Sequence, residues 1–396
     1  MSQPCVDRAR PDELEALLAV FDGAFMHDHP GHRHFVELAP HLYLPENFRA
    51  EDHLVVREGG RPVAALALLP LQFAAGPNMI AGAGVGQVST LPEFRGGGFM
   101  TAMMKHVEAL MDRDGPDGVV LAYLGGDRFR YARFGFEKAG CAWQFEVSGP
   151  SLGALDLTPW TFTEQERLAP WMHECFEQKP YRRAVAFNEA VWAVRRPGGR
   201  LLTAEGPAGR ATVTYAKHED PALDDRVDVM RPGHVTIRDW GGPADGVMAL
   251  LGELARNCGG GHVSVRTPAV GDDLTRKLLS HSATFHPQTQ ANLRIGRLRA
   301  LLEAYMPWFS RAPGICPEGL TLRMSDADQQ AALFLGNTAA VEENGGRHLI
   351  ELSRLEMTSF LFGPFTPSRR FDLSPRLAGL DAVLPLPFYV SGIANV

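Results

Sequence analysis

Residues 85 to 100, Val-Gly-Gln-Val-Ser-Thr-Leu-Pro-Glu-Phe-Arg-Gly-Gly-Gly-Phe-Met, constrain the fold most, because they lead an apolar strand through a turn of bare backbone into a helix. The run Ala83 to Thr90 is small and apolar, as a strand covered on both faces would be, and Pro92 stops it. Beyond the turn, Met100, Met103, Met104, Val107, Leu110 and Met111 recur at three- and four-residue steps, which predicts one apolar helical stripe with Lys105, His106 and Glu108 on the other face. Gly118 to Leu124 then reads as a second buried strand. The turn itself suits an anion. Gly96, Gly97 and Gly98 carry no Cβ, their N–H groups lie at the positive end of the following helix, and Arg95 adds a charge-assisted donor.

Two common phosphate loops are excluded on residue grounds. There is no Gly-Lys-Ser/Thr, and Gly82-Ala-Gly-Val-Gly86 lacks the spacing of the dinucleotide fingerprint. What remains, Arg-x-x-Gly at Arg95 to Gly98 between a strand and a helix, resembles the acyl-coenzyme A loop of the Gcn5-related N-acetyltransferases (GNAT), which reads Gln/Arg-x-x-Gly-x-Gly/Ala. The chain departs from that pattern at Met100, where a small residue is usual. The resemblance implies that acetyl-coenzyme A is the cosubstrate, held by Val88, Ser89 and Thr90 along the thioester and pantetheine. Arg95, Gly96, Gly97, Gly98, Phe99 and Met100 would hold the pyrophosphate, and Gly125 and Gly126 would complete the set. A second segment, Phe129-Arg-Tyr-Ala-Arg-Phe-Gly-Phe-Glu137, resembles the Tyr-x-x-x-Gly-Phe segment where this superfamily keeps a tyrosine beside the thioester sulfur. Taken alone, Tyr131 is a packing residue like the other tyrosines. Following the loop at this spacing it is a candidate general acid, since a phenol near pKa 10 suits a departing thiolate near 8.5.

At 396 residues with 45% hydrophobic content, the chain is long enough for two or three domains with a sizeable core. No apolar run approaches the roughly 20 residues that span a bilayer, and the first residues carry no apolar signal core, so no membrane role is expected. Cys5, Cys141, Cys175, Cys258 and Cys316 are scattered and odd in number, which fits reduced thiols and a cytoplasmic setting. A net charge of -7 offers no basic face for nucleic acid. Residues 1 to 150 hold 19 Asp/Glu against 13 Lys/Arg, and this excess would draw cationic amines unless it is merely a solvated surface.

The organisation predicted is mixed α/β in three modules. Residues 1–150 form the active one, with a first helix at Leu14, Leu17, Leu18 and Phe21 and strands at Leu54 to Arg57 and Val63 to Leu69 joined at Gly59-Gly60. Residues 151–290 repeat the pattern in weaker form. Helices are expected around Pro170 to Gln178 and Ala184 to Val194, with strands at Leu201 to Ala204, Ala211 to Ala216 and Val235 to Trp240. Gly241-Gly242-Pro243 then precedes a helix through Val247, Leu250, Leu251 and Leu254. That turn lacks the arginine and the third glycine, and Pro243 removes a donor, so this module reads as a GNAT-like fold without a coenzyme site. Residues 291–396 begin with a helix at Leu298, Leu301 and Leu302, with strands at Leu320 to Met324 and His348 to Leu352.

This layout is similar to the enhanced-intracellular-survival (Eis) type of acetyltransferase, tandem GNAT folds followed by a sterol-carrier-like module. The resemblance implies a homo-hexamer, a primary amine acceptor, and a terminal carboxylate, here that of Val396, entering the first site as base or proton relay. Better-known members acetylate aminoglycosides and end on an acidic residue and an aromatic one, where this chain has Asn395 and Val396. Loss of that acid leaves Asp28 as a possible substrate-binding carboxylate, unless it is a solvated loop residue. The cluster His27-Asp-His-Pro-Gly-His-Arg-His34 matches no closed zinc pattern, so no metal is expected. Two alternatives stay open: an apolar-ligand carrier with a vestigial first module, and an acyltransferase using a longer acyl chain.

Overall fold

The stripe that begins at Leu14 forms helix α1 (Leu14–Asp28) in the computed structural model, which describes residues 4–113, 118–196, 198–217, 234–258 and 261–394. After strand β1 (Asp7–Arg8) and α1 come two short helices, α2 (Phe35–Leu38) and α3 (Pro40–Tyr43), then the hairpin β2 (His53–Glu58) and β3 (Arg61–Ala75). Gly59 and Gly60 make its turn, both with positive φ. Strand β4 (Asn78–Thr90) follows antiparallel to β3, and helix α4 (Phe99–Met111) crosses over to β5 (Leu121–Leu124), which pairs parallel to β4. The predicted stripe is the one that packs: Met103, Met104, Val107 and Met111 are buried with Val85, Ala122 and Leu124. Each such side chain stabilises the fold by roughly 1.5–3 kcal/mol. On the other face of the sheet, Leu17, Val20 and Phe21 of α1 cover Val55 and Ala65. Helix α5 (Arg128–Tyr131) and strand β6 (Glu137–Val147) complete this part.

The chain continues through α6 (Gly149–Gly153), β7 (Thr161–Gln165), α7 (Pro170–Phe176), β8 (Tyr181–Ala184), α8 (Phe187–Ala193), β9 (Arg200–Gly206), β10 (Gly209–Lys217) and β11 (Val235–Gly241). Helix α9 (Ala244–Asn257) then crosses to β12 (Val263–Pro268), parallel to β11, and α10 (Asp273–His281) leads into β13 (Ser282–Ile295). The unit β11-α9-β12 repeats the connection of β4-α4-β5, a strand, a helix and a parallel strand paired directly with the first. The two parts share one thirteen-stranded sheet, and they exchange strands: β13 lies between β5 and β6, while β6 lies between β13 and β12. The helix expected over 184–194 is shorter, because Tyr181–Ala184 is a strand that pairs with the far half of β3, Gln72 opposite Ala184. Nothing in the local pattern of those residues could reveal a partner so distant in sequence.

The remaining residues form a four-stranded sheet in the order β16-β15-β14-β17, from β14 (Cys316–Met324), β15 (Gln329–Leu335), β16 (Ala339–Glu342) and β17 (His348–Leu352). Helices α11 (Leu298–Ala304), α12 (Met306–Phe309) and α13 (Arg354–Phe362) accompany it. Leu320, Leu322, Leu333, Met357 and Phe360 are buried in a core continuous with Ala67, Phe73 and Tyr123 of the large sheet. The tail then runs back over that sheet, burying Leu386, Phe388, Tyr389 and Val390. No helix among the described residues is long and apolar enough to cross a membrane.

Candidate active site

Strands β4 and β5 pair from Gly82 opposite Leu121 to Val85 opposite Leu124, and there the pairing stops while β4 runs on to Thr90. Those later residues stay tied to β3 on their other side, Ser89 opposite Ala65 and Thr90 opposite Ala64. The register shifts between Ala65 and Ala67, where Gln87 adopts a positive φ of 48°, a bulge that bends β4 away from its neighbour. Val88, Ser89 and Thr90 therefore face an opening between two strands, with their backbone groups on that side outside any sheet ladder. The Ser89 hydroxyl is buried and has no hydrogen-bond partner among the described residues.

At the end of β4 the glycine turn has the backbone its sequence requires. Gly96 and Gly98 have φ of 85° and 75°, and a Cβ placed on either would meet nothing within 4 Å. A Cβ on Gly97 would come within 3.0 Å of the Phe99 ring. Gly98 is the N-cap of α4, with no side-chain cap and no acidic residue in the first turn, so the N–H groups of Phe99, Met100 and their neighbours are available to an anion. The Arg95 side chain turns back toward β4, its Nε donating to the Thr90 carbonyl at 3.4 Å. Its two terminal nitrogens donate to both oxygens of Asp28, at 2.8 and 3.1 Å. Asp28 is the last residue of α1, and the hydrogen bond from Arg95 holds its carboxyl below the usual range.

Tyr131 ends α5, a helix opened by Asp127, whose side chain accepts from the Phe129 N–H. Arg128 braces it by a forked pair on the buried carboxylate of Glu137. The tyrosine ring lies over Gly126, where a Cβ would approach its Cε2 to 3.1 Å, and Gly126 is two residues past the last pair of β5. Burial pushes the phenol above its usual value, partly offset by Arg130, so it stays protonated through the neutral range. Gly125 and Gly126 are held from behind by Asn292 of β13, whose Nδ2 donates to the carbonyls of Leu124 at 3.5 Å and Gly126 at 3.0 Å. Asn292 is fully buried, and no sequence motif marks it, because its segment falls at an expected module boundary and only the pairing of β13 with β5 brings it here.

The tail approaches from the face opposite α4. The Ala394 carbonyl accepts from Arg183 Nη1 at 2.6 Å and from the Tyr123 hydroxyl of β5 at 3.3 Å, and the Gly392 carbonyl accepts from Arg196 at 3.3 Å. Val396 and Asn395 lie outside the described residues. Around Ala394 the charges are guanidinium-rich, unlike the acidic excess of residues 1 to 150 as a whole.

The corresponding turn of the second half is closed. A Cβ on Gly241 would lie 2.3 Å from the Cys175 backbone and one on Gly242 2.5 Å from the Arg210 carbonyl, and Pro243 takes the N-cap of α9. Here the glycines permit close packing of backbone on backbone and leave no room for a ligand.

Residues 6–139 match the sequence profile of the acetyltransferase (GNAT) domain. The chain thus carries a GNAT acetyltransferase domain and is an acyltransferase enzyme. A search of curated protein sequences finds no significant match. Among solved structures, the fold is similar to a Gcn5-related N-acetyltransferase from Anabaena variabilis (18% identity, 97% of this chain and 100% of that chain, TM-score 0.71). It is also similar to Eis1 from Mycobacterium abscessus (14% identity, 99% and 100%, TM-score 0.69) and to a Gcn5-related N-acetyltransferase from Kribbella flavida (14% identity, 96% and 95%, TM-score 0.66). At these identities the likeness is one of fold.

Proposed function

We propose that this protein is an acetyl-coenzyme A-dependent N-acetyltransferase of the Eis type, acting on a primary amine at the opening between β4 and β5. The observation that carries the reading is the contrast between two equivalent turns in one chain. At Gly96 and Gly98 there is open space before an uncapped helix, whereas at Gly241 and Gly242 the backbone of neighbouring strands and helices fills it. Arg95 and the N–H groups at the start of α4 would hold the pyrophosphate, and Val88, Ser89 and Thr90 would line the pantetheine. One coenzyme per chain follows, with the second half serving as scaffold.

The chemistry is direct transfer. The amine lone pair forms the C–N bond to the acyl carbon, a backbone N–H of β4 steadies the oxyanion, the C–S bond breaks, and Tyr131 gives its proton to the thiolate. The proton shed by the nitrogen passes through water toward the carboxylate of Val396, and exchange with solvent restores both groups. A carboxylate near pKa 3.5 is too weak to strip an ammonium directly, so its part is to orient and relay. The Eis-type resemblance also supports a sterol-carrier-like third unit and a homo-hexamer, and the scattered cysteines support a cytoplasmic setting.

A thiol-release screen with acetyl-coenzyme A over polyamines, aminoglycosides, lysine-terminated peptides and arylamines tests the reading. Amine-dependent release is expected. Binding of an apolar ligand without any thiol release would replace the enzyme by a carrier.

A further inference from the structure

We propose that His41 of α3 and Glu189 of α8 form the acceptor-binding side of this site, and that they select a weakly basic amine, one that is uncharged at neutral pH. The proposal rests on the acetyltransferase reading above and adds the class of acceptor. His41 is buried, and neither of its ring nitrogens has a hydrogen-bond partner among the described residues. Its Nε2 lies 3.9 Å from Glu189 Oε1, which in turn accepts from Arg183 Nη2 at 2.6 Å. The other terminal nitrogen of Arg183 donates to the Ala394 carbonyl, where Tyr123 of β5 also donates. On the opposite flank, two residues along α3, the Tyr43 hydroxyl donates to the Gln87 side chain at 2.9 Å, at the bulge where β4 leaves β5. These contacts make a ring from β4 through α3, α8 and the tail to β5, on the face opposite α4.

The groups in that ring decide what it accepts. A neutral imidazole offers one donor and one acceptor, and an uncharged amine offers N–H donors and a lone pair to match them. An ammonium offers donors only, and its charge would be set beside Arg183 and Arg196, with Glu189, the carboxylate beside His41, already engaged by Arg183. Burial, with Arg196 and Arg183 nearby, pushes the His41 imidazole down to about 3, so it remains neutral where the enzyme works. A buried polar group left without a partner is costly, and a bound amine would supply that partner.

The test compares 4-methoxyaniline with spermidine as acceptors near neutral pH, with thiol release and acetyl-coenzyme A affinity measured on the full chain. Release with 4-methoxyaniline is expected to exceed that with spermidine. His41→Phe is expected to raise its KM by about tenfold or more, with kcat and coenzyme affinity little changed, because the site is left without its hydrogen-bonding group. His41→Asn, which keeps a donor and an acceptor, should recover part of the loss. Glu189→Gln gives the same KM signature should His41→Phe fold poorly. Preference for spermidine, an unchanged KM in both variants, or no acetylation of either amine by protein that binds acetyl-coenzyme A would each overturn the proposal. Failure to bind acetyl-coenzyme A at all would instead remove the acetyltransferase reading, and this proposal with it.

Discussion

Arg95 grips Asp28 with both arms of its guanidinium, so the arginine of the glycine turn is tied to the last residue of α1. Both side chains are two-fifths or more exposed, 40% and 46%, and pairs of that kind contribute about 0–1 kcal/mol. A pyrophosphate with two negative groups would exchange for Asp28 at little cost. Asp28→Asn is therefore expected to tighten coenzyme binding by about two- to fivefold. Calorimetry checks this. Weaker binding in the variant would mean that Asp28 holds Arg95 ready instead of competing for it.

Gly98→Val should abolish coenzyme binding while the protein still folds, since it places a β-branched side chain at a left-handed position in front of the α4 N-terminus. Gly242→Ala should do the reverse, lowering the melting temperature through its clash with the Arg210 carbonyl and leaving coenzyme affinity intact. A calorimetric stoichiometry of two coenzymes per chain would contradict the assignment of a single open turn.

Asn292→Ala removes the donor that holds the Leu124 and Gly126 carbonyls, with an expected loss of about 1–3 kcal/mol in denaturant unfolding. Because Gly126 lies under the Tyr131 ring, turnover should fall further than stability accounts for. Turnover equal to wild type would show that Tyr131 does not depend on this support.

Acid stability carries the mark of the buried histidines. His41 has a folded value pushed down to about 3 against 6.5 for the free group, so the unfolded chain binds the extra proton between those limits. Its stabilising contribution is complete above about pH 6.5 and is lost as pH falls toward 3, at most about 1.4 kcal/mol per unit. Buried His53 is also lowered and acts with the same sign. Urea unfolding at a series of pH values should show a shallower acid slope for His41→Phe than for wild type. An identical slope would place His41 in solvent contact.

The glycine turn, the α4 stripe and the β2–β3 hairpin were legible in the sequence because each is a local matter. Positive φ at Gly96 and Gly98 depends on neighbours a few residues away, and the methionine stripe follows helical period. What could not be read is what the strand exchange produces. Asn292 stands beside Leu124 only because β13 inserts between β5 and β6, and Arg183 reaches the tail only because β8 pairs with β3. His41 and Glu189 meet through packing of α3 on α8, and neither sits in a motif. In the sequence Asp28 reads as a loop carboxylate for substrate and Arg95 as a phosphate ligand, and nothing across their separation of 67 residues marks the two as partners.

Acyl transfer at the opening of β4 and β5 depends, in the mechanism proposed above, on Tyr131 as the acid. Its most direct test is the rate of thiol release by Tyr131→Phe with the best acceptor of the screen, measured beside the coenzyme dissociation constant of the same variant. A rate lower by roughly 10²- to 10⁴-fold is expected, with coenzyme affinity little changed, because the hydroxyl is needed only as the thiolate departs. A variant that releases thiol at the wild-type rate would make Tyr131 a packing residue and leave the thiolate to another acid.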